Sequence, residues 1–218
     1  VIKLAKSARA LAINRQGTML FTAGYDRQIN GWDMQTGAHL MRLTGSQHLI
    51  HAIALGRRED RIYAANYLGR ILVWDLKNNT LQHRIQAHQK PIRALVVGLD
   101  SLYTGSEDFT IGIFDAHSLQ KRGELNAHRD IVSALALSSD RRWLYSGGAD
   151  QRVLMWDTRT KQVSRNFDPQ DDRVISLATS PQGRFLASSS ADALWLWDAQ
   201  STRHGEVTTV GHRQASIS

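Results

Sequence analysis

The chain has 218 residues, of which 42% are hydrophobic, and a formal net charge of +7 at pH 7. This length suits one domain, and the positive charge favours an acidic partner or a nucleic-acid backbone. There is no cysteine, which excludes disulfides and thiol chemistry, and no apolar run approaches the length of a membrane span. We therefore expect a cytoplasmic or nuclear protein with no membrane partner.

A segment that ends in an aromatic residue followed by Asp occurs five times. In chain order the copies are "TAGYDRQINGWD" (22–33), "AANYLGRILVWD" (64–75), "TGSEDFTIGIFD" (104–115), "SGGADQRVLMWD" (146–157) and "SSSADALWLWD" (188–198). The aromatic residues are Trp32, Trp74, Phe114, Trp156 and Trp197, at successive spacings of 42, 40, 42 and 41 residues. A period near forty indicates a repeat protein.

Each period contains four strand-sized apolar stretches separated by turn residues. In the fourth copy these stretches are 131–138, 143–148, 152–157 and 162–167. Their length, and the Gly, Asp and Ser residues that bound them, favour strands over helices. One four-stranded sheet cannot bury both of its faces, whereas sheets stacked around an axis can. The sequence therefore predicts an all-β protein, a β-propeller of four-stranded antiparallel blades.

These segments resemble the WD-repeat (WD40) family over nearly the whole chain. In that family a Trp, a Ser or Thr, a turn Asp and an upstream His form a buried hydrogen-bonded tetrad. The fourth copy has all four residue types, and the resemblance implies a structural tetrad of His128, Ser146, Asp150 and Trp156. A buried indole N–H, imidazole or carboxylate is stable only when it is paired.

The other copies depart from the tetrad pattern. The third ends in Phe114, which has no N–H to donate. The second has His48 for the histidine but Ala64 and Leu68 where the hydroxyl and the carboxylate belong, and the fifth has Gln170 near the histidine position. We expect the networks of these blades to be incomplete.

The repeats fill one domain over residues 1–218. Their expected bounds are 6–43, 48–85, 88–125, 128–167 and 170–210, and residues 211–218 look like the start of a further repeat. The five repeats form either a closed five-bladed ring or a segment of a seven-bladed one, and we favour the segment. An open stack leaves two sheet faces to be covered by further chain or by a partner.

The sequence offers little for catalysis or for metal binding. No Gly-rich loop leads from a strand into a helix, and His48 with His51 is the only close histidine pair. A triad of His128, Ser146 and Asp150 would be buried framework without access to substrate. We expect no enzyme activity, cofactor, metal or small-molecule substrate.

The family resemblance implies that partners bind the narrower face of the ring, near its central channel. The matching positions are the residue before each turn Asp and the residues just after each His. They are Tyr25, Tyr67, Glu107, His51, Gln89, Lys90, Arg129 and Arg173. Tyr and Arg are enriched at binding hot spots, so Tyr25 and Tyr67 predict an aromatic platform; the alternative is that they only cover blade edges.

The opposite face, called here the basic face, carries many of the arginines. Those of most interest are Arg57, Arg58, Arg141, Arg142 and Arg159. They would bind RNA or an acidic partner, or they are ordinary solubilising loop residues. Residues 144–159 also resemble the sixteen-residue box with which WD-repeat substrate receptors dock on a cullin–RING ubiquitin ligase, with Arg159 as its distinguishing residue.

The sequence therefore predicts a non-enzymatic scaffold that holds proteins together in a multi-subunit complex. One alternative is a substrate receptor of a cullin–RING ubiquitin ligase, docked through Arg159. A second alternative is a ribonucleoprotein-associated propeller that binds RNA or an acidic partner through the basic face.

Overall fold

A computed structural model describes residues 6–167, 170 and 172–200 in full, and residues 207–211 by their backbone. In these residues the chain forms twenty β-strands and no helix. The strands make five four-stranded sheets, and each sheet consists of four consecutive strands that pair antiparallel with their sequence neighbours. The structure thus confirms the all-β prediction and the four-stranded antiparallel blades of a propeller.

The first three blades contain the strands β1 to β12. Blade one comprises β1 (Ala8–Ile13), β2 (Met19–Gly24), β3 (Ile29–Asp33) and β4 (His39–Leu43). Blade two comprises β5 (Ile50–Leu55), β6 (Arg61–Asn66), β7 (Arg70–Asp75) and β8 (Thr80–Gln86). Blade three comprises β9 (Ile92–Val97), β10 (Ser101–Ser106), β11 (Ile111–Asp115) and β12 (Lys121–Leu125).

The last two blades contain β13 to β20. Blade four comprises β13 (Val132–Leu137), β14 (Trp143–Gly148), β15 (Val153–Asp157) and β16 (Val163–Phe167). Blade five comprises β17 (Ser176–Thr179), β18 (Phe185–Ser189), β19 (Ala193–Asp198) and β20 (Val207–Gly211). Strand β20 pairs with β19 along its length.

The Asp that ends each aromatic–Asp pair closes the turn to the fourth strand. Asp75 Oδ1 accepts the backbone N–H groups of Lys77 and Asn78, at 2.9 and 2.8 Å. Asp115 makes the same two contacts in blade three, and these N–H donors lower its pKa to about 2. A side chain that caps its own turn in this way stops the strand at a fixed residue. This explains why apolar strands end at an aromatic–Asp pair.

The core lies between the blades. The first strands of consecutive blades contact one another in the order β1, β5, β9, β13 and β17, so they form the inner wall of the stack. Apolar clusters fill each space between neighbouring sheets; the one between blades one and two includes Phe21, Ile53 and the fully buried Trp74. Each blade therefore depends on its neighbour to bury one of its faces.

The two outermost sheet faces carry apolar residues that are buried in the other blades. Leu11 of β1 is 64% exposed, whereas Ile53, Leu95 and Leu135 at the equivalent register are 6–8% exposed. On blade five, Leu194 is 41% exposed. Its equivalents Ile29, Ile71, Ile111 and Val153 are all 0% exposed. The described stack therefore ends at two uncovered sheet faces, and our prediction that it is part of a larger ring remains a prediction.

Candidate protein-interaction surface

The turns of the propeller lie on two faces. On one face the loops between blades meet the turns that join second to third strands; His128 and Asp150 join these two kinds of segment in blade four. We keep the name narrow face for it. On the basic face, the turns after the first and third strands are joined by backbone bonds such as Leu76 N to Asp60 O.

The four residues predicted for the tetrad lie together in blade four. The His128 Nδ1 atom is 3.0 Å from Asp150 Oδ1, and His128 Nε2 is 2.7 Å from Ser146 Oγ. Trp156 Nε1 donates to the same Ser146 oxygen at 2.8 Å. Since Asp150 accepts from Nδ1–H, the Ser146 hydroxyl donates to Nε2, and each polar group of this four-residue network has a partner. Burial raises the pKa of Asp150, but the bonds from His128 and the Arg129 N–H outweigh it, and the pKa lies below its usual value.

Blade three has a similar network without the indole. His88 Nδ1 lies 2.8 Å from Asp108 Oδ2, and His88 Nε2 lies 2.7 Å from Thr104 Oγ1. Phe114 contacts the His88 ring edge-on, with the ring centroids 6.4 Å apart. The Thr104 hydroxyl therefore hydrogen-bonds to one group, a ring nitrogen. The Ser146 hydroxyl, by contrast, hydrogen-bonds to a ring nitrogen and an indole N–H.

In blade two the register places Ser46, rather than His48, at the tetrad histidine position. Ile50 pairs with Asn66 as Val132 pairs with Gly148, and the tetrad histidine lies four residues before that strand residue. Ser46 is buried and donates to the His48 carbonyl. No hydroxyl is available opposite the indole, and Trp74 Nε1 donates instead to the carbonyl of Thr44 at 2.8 Å.

In blade five Gln170 replaces the tetrad histidine. Its amide contacts the Ser188 hydroxyl, which also accepts the indole N–H of Trp197 at 2.8 Å. The Gln170 Oε1 atom is buried without a hydrogen-bond partner, and Asp192 is exposed. The shorter turn of this blade thus leaves the carboxylate outside the network.

Blades one to three each pair an inner-strand side chain with a turn side chain on the narrow face. Tyr25, Tyr67 and Glu107 are equivalent, because their backbone N–H groups donate to the carbonyls of Ser7, Leu49 and Pro91. The Arg9 Nη1 atom donates to the Tyr25 hydroxyl at 3.0 Å. The ring of His51 packs against that of Tyr67, with centroids 6.0 Å apart. The Nε atom of Arg93 donates to Glu107 at 2.6 Å, within a salt bridge.

Arg9, His51 and Arg93 owe this position to a shared backbone irregularity. In the first strands of blades one to three the pairing register shifts by one residue, between Ala8 and Ala10 in blade one and between Ile50 and Ala52 in blade two. The extra residue of such a β-bulge is unpaired and its side chain is re-aimed, a device common next to functional sites. Here the extra residues are Arg9 and His51, and Arg93 by the equivalent shift in β9.

The three pairs lie on neighbouring blades of the narrow face and are together called here the Arg–Tyr cluster: Arg9, Tyr25, His51, Tyr67, Arg93 and Glu107. Arg93 Nη1 lies 3.4 Å from His51 Nε2, which joins blades two and three. Burial, and then the charges of Arg93 and Arg9, lower the pKa of His51 to about 4. The imidazole is therefore neutral at pH 7. Tyr25 and Tyr67 are 48% and 51% exposed, so their rings are open to a partner.

Blades four and five have small or apolar residues at these positions. Ser133 is the bulge residue of β13, and its hydroxyl donates to the carbonyls of Gly147 and Val174 within the protein. The turn residue of this blade is Ala149. In blade five the equivalent pair is Ile175 and Ala191. The polar and aromatic groups of the narrow face therefore concentrate on blades one to three.

The remaining predicted residues of the narrow face lie in the loops between blades. Gln89, Lys90, Arg129 and Arg173 are all exposed. None of them contacts the Arg–Tyr cluster through a hydrogen bond or salt bridge in the described residues. Sequence reasoning found Tyr25, His51, Tyr67 and Glu107 but missed Arg9 and Arg93. The sequence does carry a signal for them, because Arg9 lies one repeat before His51 and Arg93 lies one repeat after it.

On the basic face, Arg57, Arg58, Arg141, Arg142 and Arg159 are exposed. Several of these side chains are engaged by the protein itself. Arg141 Nη1 donates to the Val97 carbonyl at 2.9 Å, and Arg142 stacks on Trp143 with 4.8 Å from Cζ to the ring centroid. A cleft of about 490 Å³ is lined by basic residues including Arg57 and Arg141, and by the acidic Glu59 and Asp140. The positive charge of this face is thus partly compensated.

The described part of the chain offers neither a metal site nor a membrane-spanning helix. It contains no group of three or more His, Cys, Asp or Glu side chains placed to hold a metal ion. It also contains no helix that could span a membrane. The pair of His48 and His51 is therefore not part of a larger ligand set within the described residues.

The stacked four-stranded sheets, with the complete tetrad of blade four, define a repeat protein of the β-propeller class. A model of the family "WD domain, G-beta repeat" matches residues 119–157 and 161–198. No curated protein matches the chain. These matches cover two repeats, and together with the five blades they support assignment to the WD-repeat β-propeller family. Propellers of this family are in general protein-interaction scaffolds and typically not enzymes.

Proposed function

We propose that this chain is a non-enzymatic scaffold that binds another protein through the Arg–Tyr cluster and so joins it to a multi-subunit complex. The observation that carries the proposal is the repetition of the cluster. Three successive β-bulges present Arg9, His51 and Arg93 to the same face as the turn residues of their blades. The same bulge in blade four carries Ser133, so the bulge itself is a feature of the repeat. Blades one to three differ in placing an Arg or His at the bulge beside a Tyr or Glu at the turn, and Arg93 contacts His51 across two blades.

The composition of the cluster suits a binding hot spot. Tyr and Arg supply large contact areas together with a polar end, and they are over-represented among residues whose truncation costs more than about 2 kcal/mol of binding energy. The cation of Arg9 lies over the Tyr25 ring, 5.7 Å from its centroid. The Glu107 carboxylate fixes the Arg93 side chain. The cluster is thus held in position before a partner arrives, which lowers the entropy cost of binding.

The test is an affinity purification of the full chain from native lysate, with partners quantified by mass spectrometry. We compare the wild type with a Tyr25→Ala, Tyr67→Ala double variant of the cluster. Both rings are about half exposed, so their removal should leave the melting temperature within a few degrees. The proposal expects the main partners to fall by about tenfold or more. Unchanged recovery of every partner would contradict it.

Two control variants address the basic face. Arg57→Glu with Arg58→Glu reverses two exposed charges there, and Arg159→Ala truncates the exposed side chain of the turn after Asp157. The proposal expects both to retain the partners, with and without nuclease. Loss of partners with the charge reversal and with nuclease would favour the ribonucleoprotein alternative. Loss of cullin-ligase subunits with Arg159→Ala alone would favour the substrate-receptor alternative, whose supporting observation is the exposure of Arg159.

A further inference from the structure

Resting on the proposed function, we propose that the Arg–Tyr cluster recognises an anionic side chain of a partner peptide, held by the Arg9 guanidinium and the Tyr25 hydroxyl. The partner is thus given a chemical class, an acidic or phosphorylated peptide segment. Carboxylate and phosphate share the oxygen acceptors that guanidinium and phenol bind, and the experiment below separates them.

The first argument compares donors with acceptors on this face. The carboxylates near the cluster are already bonded within the protein: Asp26 to Asn30 and the Gln28 N–H, Glu107 to Arg93, and Asp108 to His88. Arg9 is exposed, and no carboxylate lies within 4 Å of it in the described residues. In the described residues its guanidinium donates a hydrogen bond to the Tyr25 hydroxyl. An incoming acceptor therefore does not have to displace an internal ion pair.

The second argument concerns the Tyr25 hydroxyl. Its oxygen accepts a hydrogen bond from Arg9. Its own O–H hydrogen remains available as a donor, because a phenol both donates and accepts. Guanidinium and phenol thus offer adjacent donors to one ligand group. A group that accepts from both must supply oxygen lone pairs, and a charged oxygen does so most strongly.

The third argument concerns the electrostatic potential. Besides burial, the charges of Arg93 and Arg9 disfavour a proton on His51. The potential that repels the positive imidazolium attracts a negative group placed at the same point. Tyr67 packs against His51, Tyr25 bonds to Arg9, and both tyrosine rings are about half exposed, so a partner can reach this positive region.

The test uses an array of immobilised twelve-residue peptides of varied sequence. Each peptide is made in three forms that differ at one position, with Asp, Asn or phosphoserine. The full chain is applied as wild type, Arg9→Gln, Tyr25→Phe and Tyr67→Ala. The control is Arg57→Gln, which removes a charge from the opposite face.

We expect the wild type to bind Asp or phosphoserine forms about tenfold more tightly than Asn forms, in line with one charge-assisted hydrogen-bond pair. Arg9→Gln should abolish this preference, Tyr25→Phe should reduce it a few-fold, and Arg57→Gln should leave it unchanged. A preference that is larger for phosphoserine identifies phosphate as the source, and one that is larger for Asp identifies carboxylate. Either result supports the proposal.

The inference is overturned if Asn forms bind as well as Asp and phosphoserine forms, or if the preference survives Arg9→Gln. It is also overturned if no peptide binds the wild type more tightly than Arg9→Gln. If Tyr67→Ala nevertheless lowers the binding of all three forms, the cluster remains a binding site and only its anion specificity fails. If no cluster variant changes the binding of any peptide, and the purification also finds no loss, the proposed function fails as well.

Discussion

Removing the tetrad hydroxyl in blade four should cost more stability than removing the equivalent hydroxyl in blade three. Ser146→Ala leaves two buried groups without a partner, the Trp156 indole N–H and His128 Nε2. Thr104→Val preserves the side-chain shape and leaves only one such group, His88 Nε2. Each buried unsatisfied group costs about 1–3 kcal/mol, so we expect losses of about 2–6 kcal/mol for Ser146→Ala and about 1–3 kcal/mol for Thr104→Val.

The comparison is well matched, because Ser146 and Thr104 are both 0% exposed and hold the same register in their blades. The assay is urea denaturation followed by far-UV circular dichroism, with the shift in midpoint converted to free energy at unchanged slope. Equal losses for the two variants would refute the reasoning, because they would show that the indole N–H does not depend on the hydroxyl. A larger loss for Thr104→Val would refute it more strongly.

Three further predictions concern other parts of the fold. Ile53→Ala should cost about 2–5 kcal/mol, whereas Leu11→Ala at the equivalent register should cost less than about 1 kcal/mol; equal costs in denaturation would show that something covers Leu11 in the purified protein. The pKa of His51 is lowered to about 4 in the folded state, from about 6.5 unfolded. The native state therefore binds fewer protons in that range, and the free energy of unfolding should fall as the pH drops from about 6.5 to about 4. In denaturation curves measured over a pH series, His51→Gln should show a smaller decrease in the free energy of unfolding over this range. An unchanged pH dependence would contradict the lowered pKa of His51. Gly112→Ala would place a methyl group 2.8 Å from His88 Nε2. It should cost about 1–3 kcal/mol of stability by overpacking, and a neutral result would mean that the surrounding side chains can move aside.

The fold could be predicted from the sequence because each repeat carries its own local signals. The Asp at the end of each third strand, such as Asp75, fixes the end of that strand and the following turn through contacts within three residues. Turn residues and β-branched residues indicated the positions of the other strands. The prediction of antiparallel four-stranded blades needed only this local information and the period.

The candidate site was less predictable because it depends on strand register. The role of Arg9 and Arg93 follows from a one-residue bulge, and the sequence indicates it only indirectly, through their spacing of 42 residues on either side of His51. The same limitation applies to blade two, where the sequence suggested His48 for the tetrad histidine position, whereas the strand register places Ser46 there. Exposure of Leu11 could not be inferred either, since it depends on which sheet packs against blade one.

The most direct test of the central claim is site-specific photo-crosslinking of the protein in its native lysate. A benzophenone amino acid replaces Tyr67 in the Arg–Tyr cluster, and in a separate variant it replaces Arg58 on the basic face; both positions are exposed. The account predicts that the probe at position 67 crosslinks to a protein partner and that the probe at position 58 does not. Crosslinks from position 58 alone would contradict it and would assign binding to the opposite face.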